Sequence, residues 1–344
     1  MKLTPFRMMA IAGLLAGPAQ LSAQATWTGL GTTETPALWS NSLNWTGTPP
    51  ASSGSSSLTF LNSAANSFST NDLSGFTATS ITIPANDGAS PTPVNIKDNT
   101  VTGNAITLAG GITVGTGNWQ TFNIDMALGN ASRTMAISFG RLYLGGLLSG
   151  TGAALTKTGG GDLWLLNANT FTGTGNNTVN SSIAGAGSYP QGLLFSGGGS
   201  GNVVIQNTAA LGAASNSIRF SGGGSGNLNL QTDSSVNAWS IFSGSGNGGT
   251  ITAGRATAGA GFLHNLGVLD LSSVTMTVNT GANITSGTAG VSFPSLSMSG
   301  GNDNNPVTLA GSAAINVGAA GITNNTNLTR RLQLDGTNAN NSIG

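Results

Sequence analysis

The chain contains no cysteine and a single histidine, and only 6% of its 344 residues are charged, against roughly 25% in an ordinary globular domain. Without cysteine there is no disulfide framework and no thiolate metal site. With His264 alone, a zinc centre lacks the three or four side chains it needs. Ten Lys+Arg offset ten Asp+Glu, so no basic face offers itself to nucleic acid. Arg330-Arg331 is the one adjacent pair of cations, which is no nucleic-acid footprint. Aromatic residues are also sparse, at 6%. No stretch beyond the amino terminus reaches the length of apolar sequence that a membrane-spanning helix requires, so no such helix is expected in the mature chain.

What remains is glycine, at 54 residues, with abundant Asn, Thr and Ser. A polar, low-charge chain invites a disordered reading, but disordered compositions usually carry high net charge and this one is near neutral. The polar residues also alternate with Val, Ile, Leu and Phe at period 2, which is a strand signal. Ser80-Ile81-Thr82-Ile83, Ala105-Ile106-Thr107-Leu108, Gly111-Ile112-Thr113-Val114 and Val274-Thr275-Met276-Thr277-Val278 are examples. Gly, Asn, Asp or Pro bound each run and supply turns. No helical period longer than two turns follows residue 25. The expected class is all-β.

Residues 1–25 read as a secretory signal. Lys2 and Arg7 form a positive start, Met8 to Gly17 an apolar run too short to span a bilayer, and Pro18 breaks it. Ala23-Gln24-Ala25 fits the small-x-small cleavage rule, with Ala23 as an alternative cut. Removing this segment takes two cations with it, leaving eight Lys+Arg against ten Asp+Glu.

A repeat decides between β architectures. Phe195-Ser196-Gly197-Gly198-Gly199-Ser200-Gly201-Asn202 recurs identically from Phe220 to Asn227. An apolar run follows each copy, and a worn third copy begins at Phe242. A period of roughly 22–25 residues suits one coil of a β-solenoid, in which each repeat stacks only on its neighbours. Coils about 4.8 Å apart set like residue on like. Phe195, Phe220 and Phe242 are therefore expected to form an interior column, and stacked Asn and Thr to hydrogen-bond along the axis. Stacked like charges would repel, which accounts for the shortage of charge. A mature chain of about 319 residues predicts on the order of 13–15 coils.

The stretch Leu155-Thr156-Lys157-Thr158-Gly159-Gly160-Gly161-Asp162-Leu163-Trp164-Leu165, continuing through Asn169, Phe171 and Gly173, resembles the autotransporter-associated β-strand repeat. Phe171 stands where tyrosine is usual. Gly145 to Gly152 resembles the lead-in of that repeat, and Thr178-Val179 is all that remains of its usual continuation. The resemblance implies a bacterial passenger that is secreted or exposed at the cell surface. It implies a right-handed parallel β-helix, pectin-lyase-like in architecture. No translocator barrel or sorting tail follows, and the pattern is interrupted at Gly344. This predicts the amino-terminal portion of a longer protein, attached to the outer membrane through the missing region.

The expected organisation is a signal at 1–25, an amino-terminal cap or first coils at 26–83, and a solenoid at 84–344 with the autotransporter-type repeat at about 145–180. Trp27, Trp39 and Trp45 lie in the second segment. They are expected to be buried in the cap, and the rival is an exposed glycan-binding platform.

Chemistry is scarce. His264 lies in an apolar context without a Gly-x-Ser-x-Gly elbow, so a turn or face position is favoured over a triad. The ten carboxylates are scattered, none within ten residues of another. Asp72 and Asp98 are the pair that neighbouring coils could best bring together for glycoside chemistry. The glycine runs lack the Lys-Ser/Thr and helix of a phosphate loop. Asn202 and Asn227 stand where calcium-binding repeats carry Asp. The sequons at Asn44 and Asn283 are expected by chance in such a composition. The sequence thus predicts an exported, non-enzymatic solenoid of structural or adhesive role, with no catalytic, cofactor-binding or metal residue. Extracellular glycans or other surface proteins are its expected partners. A carbohydrate-active β-helix enzyme and a glycan-binding module are the alternatives.

Overall fold

The structure is a computed structural model. It describes residues 23–30, 37–61, 68–85, 98–117, 119–179, 187–197, 201–221, 226–244, 246, 248–300, 306–324, 329, 331–338 and 341–343. Most of the signal-like segment lies outside the described residues.

The chain is all-β. It forms parallel stacked coils whose strands, among the described residues, build sheets of 17, 12, 4 and 2 members. In the 12-stranded sheet each strand pairs in parallel with the one a coil later, so Trp119 faces Arg141, which faces Asp162. Among the described residues two pairings are antiparallel. One joins Thr174–Val179 to Gly187–Phe195. The other sets Trp45–Gly47 against Ala23–Trp27, whose opposite edge pairs in parallel with Ser55–Phe60. The short strand Trp45–Gly47 thereby covers the first edge of the 17-stranded sheet. A bare parallel edge would otherwise template other chains.

Period-2 patterning explains the core. In Trp119–Phe122, Arg141–Leu144 and Asp162–Leu165, inward and outward residues alternate without exception. The inward set forms one apolar cluster running from Ala25 to Val317, across the expected boundary at residues 83–84. Trp27, Trp39 and Trp45 belong to it. Trp27 and Trp45 meet edge-on at 5.0 Å, Trp39 and Trp45 at 5.7 Å, and Phe60 packs against all three. Trp39 Nε1 donates to Ser69 Oγ and Trp45 Nε1 to the Trp39 carbonyl. These rings are buried and meet edge to face, so the exposed platform considered for them does not exist.

The repeated octapeptide has a mechanical reason. Phe195 and Phe220 are register partners whose rings stack at 4.8 Å and 4°. A Cβ on Gly226 would lie 2.3 Å from the Phe195 ring, and one on Gly249 2.7 Å from the Phe220 ring. Each phenylalanine therefore needs a glycine in the following coil. The expected third member of the column departs from it. Phe242 pairs with Arg219, and Ser243 takes the position opposite Phe220. A one-residue offset turns a side chain to the other face of its strand. Phe242 accordingly packs outside the main core, with Val268 and Tyr189.

Coil length varies more than the octapeptide suggests. The step from Leu163 to its partner Val203 is nearly twice the step from Arg141 to its partner Asp162, because the antiparallel hairpin is inserted in the longer one. The chain therefore makes fewer coils than a uniform period predicts. Buried asparagines tie the bends. Asn169 accepts from the Leu148 amide and donates to the Ala210 carbonyl. Asn216 accepts from the Gly173 amide and donates to the carbonyls of Phe171 and Leu211.

The two phenylalanine environments predict different costs. Phe220→Ala should destabilise by about 3–5 kcal/mol, the range for a fully buried ring, and Phe242→Ala by clearly less. Gly226→Ala should cost about 1–3 kcal/mol through overpacking against Phe195. Denaturant melts of the three variants measure this. Equal losses for the two phenylalanines would contradict the register.

Candidate functional site

The residues singled out as chemically tempting are held apart or spent on structure. His264 lies in the strand Leu263–Asn265 and is 1% exposed. Its Nε2 lies 3.3 Å from the Gly254 carbonyl, its Nδ1 has no partner, and the Phe262 ring packs at 4.6 Å. Burial pushes its pKa down to about 4, against a smaller opposing pull from the Gly254 carbonyl. It is a buried, neutral strand residue, not the turn position that was one expectation.

Asp72 and Asp98 are not register partners. Register places Asn71 opposite Gly103, which sets Asp72 level with Asn104, six positions beyond Asp98. Six strand residues span about 20 Å, beyond the separation of paired glycosidase carboxyls. Asp72 instead accepts from the Ser40 amide at 2.8 Å. Asp270 is buried, and burial raises its pKa against the opposing effect of hydrogen bonds from Ser299 and Ser297. Among the described residues no three His, Asp or Glu side chains cluster as metal ligands would.

Asn44 is fully buried and donates to the Leu38 carbonyl, so its sequon is not presented by the folded chain. Asn283 is exposed at φ 64°, and its amide binds the carbonyls of Arg255 and Ala256. Arg331 donates to Gln333, while Arg330 lies outside the described residues.

Asn202 and Asn227 do what stacking predicts. Asn227 Nδ2 donates to Asn202 Oδ1 at 2.7 Å, and Asn202 Nδ2 donates to Asp162 Oδ1 at 2.6 Å. Thr252 Oγ1 donates to Asn227 Oδ1 at 3.0 Å. This polar ladder climbs the outer face of the 12-stranded sheet. Below it, Asp162 lies 3.6 Å from Arg141, so adjacent coils carry opposite charges. The Arg141 guanidinium lies 4.5 Å from the Trp119 ring centroid and 5.9 Å from that of Trp164. Tyr143 and Trp164, partners on consecutive coils, have ring centroids 5.3 Å apart at 35°. Trp119, Tyr143 and Trp164 all point outward and are half-buried. This outer face, not the amino-terminal tryptophans, holds aromatic rings together with charged and amide side chains. Aligning the sequence so that Trp119, Arg141 and Asp162 share one column would have revealed it.

Lys157, within the stretch that resembles the repeat, is 2% exposed. Its Nζ donates to the carbonyls of Thr158 and Gly159 at 3.0 and 2.6 Å. Burial pushes its pKa down to about 8, while Asp162 pulls it back upward. The ammonium fastens the glycine turn between Leu155–Thr158 and Asp162–Leu165, where Gly159 adopts φ 77°. Leu155, Leu163, Leu165, Asn169 and Phe171 are buried as well, so each of these motif positions has a structural task.

A separate apolar recess of about 220 Å³ lies among the last described strands, lined by Leu309, Ile315, Val317, Leu334 and Ile343. No family model, curated protein or solved structure matches the chain.

The His264 pKa gives a signed prediction. Because it is lower in the folded chain than the ordinary 6.5, the unfolded chain binds the proton first. Stability is full above about pH 6.5 and falls as pH drops toward 4, by about 3 kcal/mol in all. Asp270, with its raised pKa, contributes with the opposite sign. The difference between wild type and His264→Gln in melts from pH 7 to 4 isolates the histidine. A difference that does not vary with pH would contradict its neutral burial.

Proposed function

We propose that this chain is an exported, non-enzymatic solenoid of structural or adhesive role, similar to the passenger region of an autotransporter-type surface protein. The observation that carries the reading is the stack of parallel coils with outward polar side chains bonded from one coil to the next. Such a stack is stiff, elongated and repetitive. It favours many weak contacts along its length over one deep site. Its extracellular glycans or protein partners would meet that face, and a further carboxy-terminal region would hold it at the outer membrane of a bacterium.

Two sequence features support export. Residues 1–25 have the three parts of a secretory signal, and the stretch from Leu155 to Gly173 resembles the autotransporter-associated repeat. The first strand bears on the cut. Ala25 is fully buried and pairs with both Leu58 and Gly47. Cleavage after Ala23 keeps it, whereas cleavage after Ala25 discards it. The cut after Ala23 therefore leaves the better-closed first coil.

Expression of the full chain in a Gram-negative host tests this. The expected product lies beyond the inner membrane, with a mass that starts at Gln24. Deleting residues 2–22 should retain the protein in the cytoplasm. An uncleaved chain that stays inside the cell would refute the reading.

A further inference from the structure

We propose that the outer face of the 12-stranded sheet around Trp119, Tyr143 and Trp164 binds a neutral, linear polysaccharide laid along the solenoid axis. This deepens the adhesive reading and rests on it for its biological setting, but it stands on chemistry of its own.

Three features select the ligand. The first is the rings. Tyr143 and Trp164 occupy consecutive coils, outward and half-buried, with centroids 5.3 Å apart. Trp119 lies one coil before Tyr143 and is braced by the Arg141 guanidinium. Flat, partly exposed rings suit a ligand that offers them an apolar face and offers the polar side chains beside them a hydroxylated edge. A pyranose presents both. Coils repeat at about 4.8 Å, close to the length that one sugar adds to an extended chain, so successive sugars keep step with successive coils.

The second feature is unspent hydrogen bonding. Trp164, Val204 and Asn229 follow one another in register on this face. Trp164 Nε1 and Asn229 Oδ1 are buried and have no partner. One is a donor and the other an acceptor, and each leaves a cost unmet. Both atoms lie beneath the surface, so a hydroxyl, which serves either role, completes them where the bound chain displaces the side chains that cover them.

The third feature is charge. Arg141 and Asp162 lie 3.6 Å apart and cancel, and the ladder beyond them consists of Asn and Thr. Nothing here attracts a polyanion. A peptide adding itself as a strand is also disfavoured. Trp119–Phe122, Arg141–Leu144 and Asp162–Leu165 are each paired on both edges, so their backbone is already committed.

Native gel electrophoresis of the full chain through hydroxyethylcellulose, galactomannan or arabinoxylan tests the proposal, with polygalacturonate as the anionic comparison. At least one neutral polymer should retard the wild type. Trp164→Ala and Tyr143→Ala should each weaken retardation by about tenfold, the loss of a stacking ring. Trp164→Phe should keep most of it. Leu43→Ser, at a side chain 72% exposed in the turn Ser42–Asn44, should change nothing. Far-UV circular dichroism checks that each variant keeps its strands. If Trp164→Ala unfolds, Tyr143→Ser carries the test. Three results would overturn the proposal: no retardation by any neutral polymer, full retardation of folded ring-deleted variants, or retardation by polygalacturonate alone. Binding by purified protein does not depend on export, so a chain that binds but stays inside the cell would sink only the surface reading. A surface-displayed chain that fails to bind would sink only this one.

Discussion

Parallel pairing between successive coils is the constraint on which everything else depends. It places each residue about 4.8 Å from its counterpart a coil away, so a side chain must tolerate neighbours of its own column above all. Apolar residues fulfil this inside, where one cluster runs from Ala25 to Val317. Asn and Thr fulfil it outside by hydrogen-bonding along the column, as Asn202 and Asn227 do. Arg141 and Asp162 fulfil it as an opposite pair, and Lys157 and Asp270 by lying opposite uncharged residues of the adjacent coils. The shortage of charged residues is thus a property of the stacking itself.

The same constraint turns chemically versatile residues into structural ones. Lys157 is held by two carbonyls beneath a glycine turn, and its ammonium is disfavoured by burial. His264 is neutral for the same reason. Both lie on the inside of a coil, where a side chain meets backbone and apolar neighbours. The outer face differs. There Arg141, Asp162 and the rings beside them are half-buried, with Arg141 and Asp162 side chains 38% and 22% exposed.

Much of the fold was legible because strand patterning is local. Alternation at Ile112-Thr113-Val114 fixes which side chain turns inward before any partner is known. The identical octapeptides made one register legible too, since Asn202 and Asn227 are indeed partners. Register elsewhere was not. Phe242 looked like a third column member, but its coil is slightly shorter than the one before it and Ser243 takes the inward position. The candidate site failed for a related reason. Asp72 and Asp98 seemed one coil apart, yet the pairing of Asn71 with Gly103 makes that coil longer than the octapeptide period and slides the two residues to opposite ends of adjacent strands. Trp119, Tyr143 and Trp164 come together only once coil lengths are known, and coil length is set by insertions that leave no periodic trace.

The phenylalanine–glycine arrangement has a consequence for how such a chain can grow. A coil that carries Phe220 projects a ring toward the coil after it, and through Gly226 it leaves the gap that the ring of the coil before it requires. It is therefore complementary to a copy of itself at both faces. In the core, a tandem duplication of that one coil would set ring on ring and glycine beside ring, as Phe195, Phe220 and Gly226 already do. Length in this architecture can then change by whole units with the ring-and-glycine packing carried over, and the two identical octapeptides have the form that such an event leaves behind.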